Sequence, residues 1–311
     1  MTLDGKLVCI FGGGGFLGRY ISQKLLSHGA RVRIAERSVK NAMHIKPLGN
    51  LGQTQFASAD VIKKESVERA VHGCDAVINL VGVFGSNMEK VNVEGARNVA
   101  EAAASLGCSS LIQMSAIGAD SESPSLYGRS KAGGEKAAQE AFPGAIILRP
   151  SIVFGREDAF INRFAGMIQM LPIVPIIGGD TKFQPVFVGD VADAVSNVLA
   201  SSAEHAGKTF ELGGPEVVMM HDLNRRIAKL ASRERGFVDI PDFAAKILAM
   251  LPGSPISTDQ YKMLAVDNIV AKKALSLDDL DVLPTSLAAV APGWLEQYAE
   301  QGRFGARAKA A

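Results

Sequence analysis

The chain opens with a run of five apolar residues, 7–11, which four consecutive glycines at 12–15 follow. A short apolar run bounded by glycines predicts a strand that is buried on both faces. From Phe16 onward the apolar residues instead follow the spacing of a helix, which is predicted to end near Gly29. A strand, a glycine turn and a helix in this order are typical of the first half of a nucleotide-binding βαβ unit.

The same alternation continues through the first half of the chain. Further strands and helices are predicted at residues 31–35, 54–57, 64–71, 76–81, 91–106 and 110–114. Crossover helices of this length require parallel strands with right-handed connections. We therefore predict an α/β fold, a Rossmann doubly wound parallel sheet with a second, smaller and mainly helical lobe.

The regular alternation ends near residue 154. Residues 171–179 form an apolar, proline-interrupted segment that predicts a loop, whereas 183–188 and 209–212 are predicted to return to the sheet as strands. Helical patterning dominates after residue 213. The predicted division is a dinucleotide-binding domain at residues 1–153 and 184–212, and a substrate-side lobe at residues 154–183 and 213–311.

The glycines of the first turn fit the pyrophosphate of a dinucleotide in two registers. Gly13, Gly15 and Gly18 give G-x-G-x-x-G, and Gly12 in place of Gly13 gives G-x-x-G-x-x-G. Glycine permits a tight turn and close approach of the backbone to phosphate, and a helix N-terminus attracts negative charge. The predicted contacts are Gly12, Gly13, Gly14, Gly15, Phe16, Leu17 and Gly18.

The ends of the next strands carry further candidate cofactor contacts. Glu36 lies where an acidic residue accepts hydrogen bonds from the ribose hydroxyls of NAD, whereas its neighbour Arg37 would fit the 2′-phosphate of NADP. A carboxylate repels phosphate, so the pair favours NAD; an exposed pair without a role is the alternative. Asp60 either accepts a hydrogen bond from the adenine amino group or caps the next helix. Gly82 leaves room for backbone near the cofactor.

Tyr127 and Lys131 are four residues apart on a predicted helix, so they lie on the same face. The tyrosine can exchange a proton with a substrate oxygen, while the lysine binds the nicotinamide ribose and, with the cofactor, lowers the pKa of the phenol. Ser115 follows a strand and can hydrogen-bond the same oxygen. Ordinary helix surfaces also show this spacing, but its position after a glycine turn favours catalysis.

Composition narrows the classes of function. The 311 residues are 47% hydrophobic and 21% charged with a net charge of +1, so charge does not indicate a nucleic-acid partner. The three cysteines lack metal-ligand spacing, and we predict no metal. The absence of a leader or membrane-spanning pattern predicts a cytoplasmic protein. The basic tail, residues 303–311, is predicted to be disordered.

Seven motifs occur in an order typical of one superfamily. They are F-G-G-G-G-F-L-G (11–18), A-D-V (59–61), N-L-V-G (79–82), V-N-V-E-G-A-R-N-V (91–99), Y-G-R-S-K (127–131), L-R-P-S-I-V-F-G (148–155) and Q-P-V-F-V-G-D-V-A (184–192). They resemble the short-chain dehydrogenase/reductase superfamily, in its extended or atypical branch. The resemblance implies that Ser115, Tyr127 and Lys131 form the proton-relay and ribose-binding set. The further cofactor contacts that it implies are Val61, Leu80, Val81, Pro150 and Ser151.

A narrower resemblance rests on four other segments. They are M-S-A-I-G-A-D (114–120), F-G-R-E-D-A-F-I-N-R-F-A (154–165), K-F-Q-P-V (182–186) and S-T-D-Q-Y-K-M-L-A-V-D-N-I-V (257–270). They are similar to the nucleotide-binding accessory subunit of mitochondrial respiratory complex I and its bacterial relatives. This implies bound NADPH, a structural role, and respiratory complex I or the inner membrane face as a partner. Glu36 departs from that family, which has a small or neutral residue there.

The apolar segments 167–177 and 243–251 bear on the substrate. They favour a lipophilic ligand such as a quinone over a sugar nucleotide, unless they form the core of a helical lobe or, for 243–251, contact a membrane surface. The predicted function is an NAD(P)(H)-dependent oxidoreductase acting on a lipophilic carbonyl or quinone-like substrate. The alternatives are a non-catalytic cofactor-binding subunit of a respiratory assembly, and a sugar-nucleotide epimerase or dehydratase.

Overall fold

The protein is described by a computed structural model that covers residues 3–251, 256–300 and 302. The predicted disordered tail, residues 303–311, lies outside these residues. The chain forms two compact units, the first made of Met1–Pro150, Val188–Leu212 and Ala271–Leu283. The second unit is made of Ser151–Phe187, Gly213–Val270 and Pro284–Ala311. This division differs from the predicted one, since 271–283 lies in the first unit and both 151–153 and 184–187 lie in the second.

A seven-stranded parallel sheet forms the centre of the first unit. Numbered along the whole chain, its strands are β1 (Leu7–Phe11), β2 (Arg31–Glu36), β3 (Thr54–Ser58), β4 (Ala76–Asn79), β5 (Ser110–Met114), β6 (Ile146–Pro150) and β11 (Thr209–Leu212). Every residue of β1 and β5 is buried, as expected for strands covered on both faces. This sheet confirms the predicted doubly wound α/β fold.

Helices pack on the sheet in two groups. They are α1 (Phe16–Ser27), α2 (Lys64–Val71), α3 (Gly95–Ser105), α4 (Leu126–Ala141), α6 (Val188–Ala200) and α7 (Ser202–His205). Helix α1 contacts α6, whereas α3 contacts both α2 and α4. The helix predicted over residues 91–106 is divided, because Lys90–Glu94 forms a π-helical turn before α3 begins. A 3-10 segment, Val39–Leu48, links β2 to β3, and another covers Asp278–Leu280.

The strand order places two loops at one point of the sheet. The order is β11-β6-β5-β4-β1-β2-β3, and it reverses between β1 and β4. Phe11 at the end of β1 pairs with Asn79 at the end of β4. The segments that follow these two strands therefore start side by side at the carboxyl edge, where doubly wound sheets bind their ligands.

Among its described residues, the second unit contains three two-stranded sheets and several short helices. Strand β7 (Val153–Phe154) pairs with β10 (Val186–Phe187), β8 (Ile173–Ile176) with β13 (Gly236–Asp239), and β9 (Lys182–Phe183) with β12 (Val218–Met219). The helices are α5 (Phe160–Met170), α8 (Met220–Leu230), α9 (Asp242–Met250), α10 (Thr258–Leu264), α11 (Leu287–Val290) and α12 (Pro292–Leu295), followed by a 3-10 turn at Glu296–Tyr298.

Two predictions for this unit are wrong. Residues 171–179, predicted as a loop, contain β8, because a strand with a single neighbour tolerates Pro175. Residues 183–188, predicted as one strand of the main sheet, instead end β9 at Phe183 and form β10, both within the second unit. The apolar segments have mixed roles: Ile168, Val174 and Ile176 are buried in cores, while Phe243 and Met250 are exposed.

Across the described ranges of the chain, every helix is too short or too polar to cross a membrane.

Candidate active site

The glycine turn after β1 leaves little room for side chains, because neighbouring atoms lie close to the glycine Cα atoms. Gly12 has a φ of +76°, a backbone conformation that favours glycine. A Cβ atom on Gly13 would lie 2.9 Å from Ile34 Cδ1, and one on Gly18 would lie 2.5 Å from the backbone of Gly13. Helix α1 thus packs directly against the turn, and within the described chain no side chain caps its N-terminus. The turn therefore fits the predicted phosphate-binding role.

Glu36 is fixed beside this turn. The backbone N–H of Gly14 donates a hydrogen bond of 2.9 Å to Glu36 Oε1. Glu36 is half-buried at the end of β2, whereas its neighbour Arg37 is exposed. The carboxylate therefore lies next to the glycine turn, and its role toward a ribose stays a prediction.

The loop after β4 lies against the glycine turn. Leu80 N–H donates to the carbonyl of Phe11 at 3.0 Å, and a Cβ on Gly12 would contact Leu80 and Val81 at 3.4 Å. One residue further on, a Cβ on Gly82 would lie 3.3 Å from Lys131 Nζ. The structure therefore brings the predicted contacts after β1 and β4 together with the predicted catalytic lysine.

The segment after β3 contradicts one of the two predicted roles of Asp60, that of capping the next helix. Asp60 Oδ1 accepts a hydrogen bond from Ile62 N–H at 3.3 Å, and the N-cap of α2 is Lys63. Asp60 thus forms a local turn and does not cap the helix. Val61 is buried, and its carbonyl accepts a hydrogen bond from Asn98 Nδ2 at 2.8 Å.

Lys131 reaches the end of β5. Ser125 caps the start of α4 by accepting a hydrogen bond from Gly128 N–H, which fixes the first turn of this helix. From the next turn, Lys131 Nζ donates to the carbonyl of Met114 at 2.8 Å. Ser115, the next residue, is buried, and its Oγ has no hydrogen-bond partner within the part of the chain that the structure describes.

Burial also changes the acidity of Lys131. It lowers the pKa of the ammonium to about 8, although the negative charge of Glu135 acts in the opposite direction. Glu135 is itself bound by two nitrogens of Arg149, at 2.8 and 2.6 Å. An amine with a pKa near 8 still carries its proton in most molecules at neutral pH.

Tyr127 lies one turn before Lys131 on α4, and Phe84 covers one face of its ring. The two ring centroids are 4.1 Å apart, with an angle of 14° between the ring planes. Burial raises the pKa of the Tyr127 phenol to about 12. The predicted lowering of this pKa by Lys131 is therefore not found in the protein itself, since desolvation dominates.

Two residues of this region were missed from the sequence. Phe84 follows Gly82 by two positions. An aromatic residue in the loop after a sheet strand is a sequence feature from which its place at the site could have been predicted. Asn92 lies in the π-helical turn and is buried; its amide exchanges two hydrogen bonds with the backbone of Val83 and donates a third to Ser130 Oγ. Asn92 thus attaches the loop after β4 to α4.

The last two predicted contacts belong to different units. The Pro150 carbonyl accepts a hydrogen bond of 3.0 Å from Ile117 N–H, next to the segment that follows β5. Ser151 begins the second unit, where its hydroxyl donates to Asn268 Oδ1 at 2.6 Å. For a metal ion, the described residues contain no group of three or more suitable histidine, cysteine or acidic side chains.

Comparison with known families agrees with this geometry. The profile of the NAD dependent epimerase/dehydratase family matches residues 8–213, which include the glycine turn and the whole Tyr127 region. The chain belongs to this family. As a family member it is an NAD(P)-binding protein of the extended short-chain dehydrogenase/reductase type, as the motifs predicted.

Two individual relatives of this epimerase/dehydratase family member have names that bear on its function. Over 97% of its length the chain is 33% identical to the mitochondrial "NADH dehydrogenase (ubiquinone) 1 alpha subcomplex subunit 9" of Arabidopsis thaliana, and it covers 80% of that protein. This confirms the narrower predicted resemblance. It is also 28% identical, over 62% of its length and 61% of the relative, to a ceramide reductase of Caulobacter vibrioides.

Among solved structures, a UDP-glucose 4-epimerase of Thermotoga maritima matches with a TM-score of 0.71, covering 94% of this chain and 98% of that one at 18% identity. An identity this low shows a shared fold only.

Proposed function

We propose that the chain is an NAD(H)-dependent oxidoreductase that acts on a lipophilic carbonyl or quinone-like compound. The observation that carries the proposal is the buried Ser115 hydroxyl, which has no hydrogen-bond partner among the described residues. Ser115 directly follows Met114, whose carbonyl accepts the hydrogen bond of Lys131. A buried polar group left without a hydrogen bond costs about 1–3 kcal/mol. A substrate oxygen that accepts from Ser115 removes this cost.

The side chains divide the acid–base chemistry of a carbonyl reduction between them. The bound cofactor supplies the hydride. Tyr127, protonated at neutral pH, donates its proton to the substrate oxygen, and Ser115 donates a hydrogen bond to the same oxygen. The ammonium of Lys131, one helical turn away, stabilises the phenolate that forms. The high pKa of Tyr127 in the protein suits a general acid, the role needed in the direction of reduction.

The proposed cofactor is NAD(H) and not NADP(H). Gly14 N–H holds the Glu36 carboxylate in place beside the glycine turn. A 2′-phosphate in this position would face a fixed negative charge, while ribose hydroxyls would find a hydrogen-bond acceptor. Arg37 is exposed and is the residue that would favour NADP instead.

Two observations support a lipophilic substrate. The side chain of Phe84, stacked on Tyr127, remains 55% exposed, and so it offers an apolar surface beside the proton donor. A relative that is 28% identical over 62% of the chain is named a ceramide reductase, an enzyme for a lipid. A sugar-nucleotide epimerase or dehydratase is less well supported, since the UDP-glucose 4-epimerase of Thermotoga maritima is only 18% identical.

A second candidate function is a non-catalytic cofactor-binding subunit of a respiratory NADH dehydrogenase. The extent of the similarity to a mitochondrial subunit of that name favours it. In that case the protein binds at the inner face of the membrane through its partner subunits; as a separate enzyme we expect it in the cytoplasm. The two candidates share the cofactor site and differ in whether the bound dinucleotide reacts.

One experiment separates these functions. The nucleotide that copurifies with the protein is identified by mass spectrometry, and the loaded protein is then mixed with a short-chain quinone or an aliphatic ketone. Oxidation of bound NADH that is lost in Tyr127→Phe supports the enzyme. A nucleotide that neither exchanges nor reacts, together with copurification of NADH dehydrogenase subunits, supports the second candidate and overturns the first.

A further inference from the structure

Helix α4 contains two lysine–glutamate pairs with the same spacing, and within the described residues only the second forms an ion pair. Lys131 is followed four positions later by Glu135, and Lys136 by Glu140. Side chains at this spacing lie one helical turn apart, where opposite charges attract. Lys136 Nζ accordingly lies 3.9 Å from Glu140 Oε1. Lys131 and Glu135 each have another partner instead.

The partner of Lys131 is a neutral group. Its Nζ donates to the carbonyl of Met114 at the end of β5, at 2.8 Å. A Cβ on Gly82 would lie 3.3 Å from the same nitrogen, so the ammonium is at the carboxyl edge of the sheet. A carboxylate accepts a hydrogen bond from an ammonium more strongly than a carbonyl does. The separation of Lys131 from Glu135 therefore needs a cause outside these two residues.

Arg149, in β6, is that cause. Its Nε and Nη2 donate to the two carboxylate oxygens of Glu135 at 2.8 and 2.6 Å. Two parallel hydrogen bonds from a planar guanidinium fix the orientation of a carboxylate as well as binding it. Glu135 is buried, so solvent and salt weaken this pair less than a pair on the surface. Both oxygens of Glu135 are therefore bound by Arg149.

A second carboxylate fixes Arg149 in turn. Glu211 of β11 is directly opposite Arg149 in the register of the two strands, so both side chains lie on the same face of the sheet. Glu211 Oε1 is 3.5 Å from Arg149 Nη1, and Glu211 Oε2 accepts a hydrogen bond from Ala271 N–H at 2.8 Å. The guanidinium is thus held between two carboxylates that are themselves attached.

The outer pair of α4 provides an internal comparison. Glu140 also has an arginine partner, Arg97 of α3, whose Nη2 donates to Glu140 Oε2 at 3.3 Å. This arginine uses one nitrogen and one carboxylate oxygen, and the other oxygen is the one near Lys136. A single contact therefore leaves the lysine–glutamate pair intact, whereas the two-nitrogen contact of Arg149 occupies the whole carboxylate.

We propose that Arg149 is a positioning residue, which binds Glu135 so that the Lys131 ammonium is not drawn into an ion pair and stays at the sheet edge to bind the dinucleotide. The inference rests on the proposed function in one respect, the role of Lys131 toward the cofactor. Without Arg149, the buried Glu135 carboxylate would pair with the ammonium one turn away and pull it from Met114. The charged or titratable side chains of this arrangement are Tyr127, Lys131 and Glu135 of α4, Arg149 of β6 and Glu211 of β11.

The first test measures the pKa of Lys131 in the full-length protein, by NMR titration of lysine labelled with ¹³C at Cε. Lys131→Met assigns the signal. Arg149→Met releases Glu135, so the pKa of Lys131 should rise from about 8 to about 9 or higher. The double variant Arg149→Met/Glu135→Gln has no carboxylate to pair with the lysine, and the pKa should return to about 8 or lower. An unchanged pKa in Arg149→Met overturns the proposal.

The second test measures NADH affinity by fluorescence of the reduced nicotinamide. Arg149→Met should bind NADH about tenfold more weakly or worse, and the double variant with Glu135→Gln should recover most of this loss. Arg149→Lys keeps the charge without the fork and should lie between wild type and Arg149→Met. Arg97→Met is the matched control: it releases Glu140 on the same helix and should change neither the affinity nor the pKa of Lys131. A double variant that binds as weakly as Arg149→Met contradicts the proposal.

These outcomes can be told apart from failure of the proposed function, because the NMR titration needs no substrate. If the pKa of Lys131 rises in Arg149→Met and returns in the double variant, but the protein reduces neither ketone nor quinone, the inference holds and the oxidoreductase does not. If turnover depends on Tyr127 while Arg149→Met leaves the pKa of Lys131 unchanged, the reverse is true.

Discussion

The phenyl ring of Phe84 stacks on the phenol ring of Tyr127, with the ring centroids 4.1 Å apart and the ring planes at 14°. Phe84 comes from the loop after β4 and Tyr127 from the first turn of α4. The contact removes water from one face of the tyrosine, and burial is the cause of its raised pKa. A residue outside the catalytic motif thus takes part in setting the protonation state of the proposed acid.

The first prediction concerns this stack. Phe84→Ala exposes Tyr127 to water, so the pKa of the phenol should fall from about 12 towards its usual value near 10. The measurement is a spectrophotometric titration of phenolate, with Tyr127→Phe used to assign the Tyr127 signal among the four tyrosines. Phe84→Leu keeps an apolar cover and should shift the pKa less. If the Tyr127 phenol titrates identically in wild type, Phe84→Ala and Phe84→Leu, the covering role of Phe84 is ruled out.

The second prediction concerns proton transfer. Tyr127→Phe removes the donor and keeps the ring, so turnover should fall by about 10²–10⁴-fold while dinucleotide affinity changes little. Turnover is measured under single-turnover conditions, and affinity by fluorescence of the reduced nicotinamide. Ser115→Ala removes a hydrogen bond and no proton, so its loss of rate should be smaller. Equal turnover in wild type and Tyr127→Phe would exclude Tyr127 as the acid.

The third prediction concerns the stability cost of Lys131. Its pKa is about 8 in the folded protein and higher in the unfolded chain, so the folded state disfavours the charged form. The penalty is absent above the unfolded pKa of about 10.5, grows as pH falls through the window from 10.5 to 8, and is complete below it. Lys131→Met should therefore raise the free energy of unfolding at pH 7 by about 1–3 kcal/mol. This figure is the net effect, with the lost hydrogen bond from Lys131 to the Met114 carbonyl already subtracted.

Urea unfolding of both proteins at pH 7 and at pH 10 checks this sign. The advantage of Lys131→Met should shrink at the higher pH, because wild-type Lys131 is then largely neutral in the folded state. Lys136→Met, an exposed position on the same helix, is the matched control and should show no such pH dependence. A variant that is less stable than wild type at pH 7 would contradict the prediction.

The fourth prediction concerns cofactor choice. Glu36→Ser removes the carboxylate that Gly14 holds, so the ratio of NADH to NADPH affinity should fall by about tenfold or more, since 1.4 kcal/mol corresponds to a factor of ten. Thermal shifts or calorimetric titrations with both nucleotides provide the measurement. Arg37→Ala is the control for NADH, whose affinity it should leave nearly unchanged. A wild-type protein that prefers NADPH would show that Arg37 decides the specificity.

The fifth prediction concerns the glycine turn. A Cβ on Gly18 would lie 2.5 Å from backbone atoms of Gly13, so Gly18→Ala must displace α1 from the turn. Overpacking of this kind costs about 1–3 kcal/mol, and dinucleotide binding should be lost. Gly166→Ala, inside α5 with nothing within 4 Å, should instead be neutral or stabilising. Unfolding curves and nucleotide titrations of both variants check the contrast.

The first unit was the more predictable part of the fold, for a physical reason. Its strands are buried on both faces and its glycines have specific backbone roles, so residues 7–18 carry both signals in one short segment. In the second unit β8 contains a proline and pairs with β13, a partner distant in sequence. Local patterns contain no information on such pairing, and the loop predicted for 171–179 was wrong for that reason.

The candidate site shows the same limit. The spacing of Tyr127 and Lys131 placed both residues on one helix face, because helical geometry is local. The hydrogen bond from Lys131 to Met114 and the stack of Phe84 on Tyr127 depend on the distance between α4 and the ends of β4 and β5. Burial decides the pKa of Tyr127, and burial follows from tertiary packing, which the motif does not encode.

The position of β11 has a consequence for synthesis of the chain. It is the outer neighbour of β6, pairing Thr209 with Ile147, yet Ser151–Phe187 and α6 are translated between the two strands. Until the ribosome has delivered residue 212, the nascent sheet ends at β6, whose backbone amides and carbonyls on that side have no strand to bind. A polypeptide interrupted in this interval therefore exposes an unpaired strand edge, which is a template for aggregation.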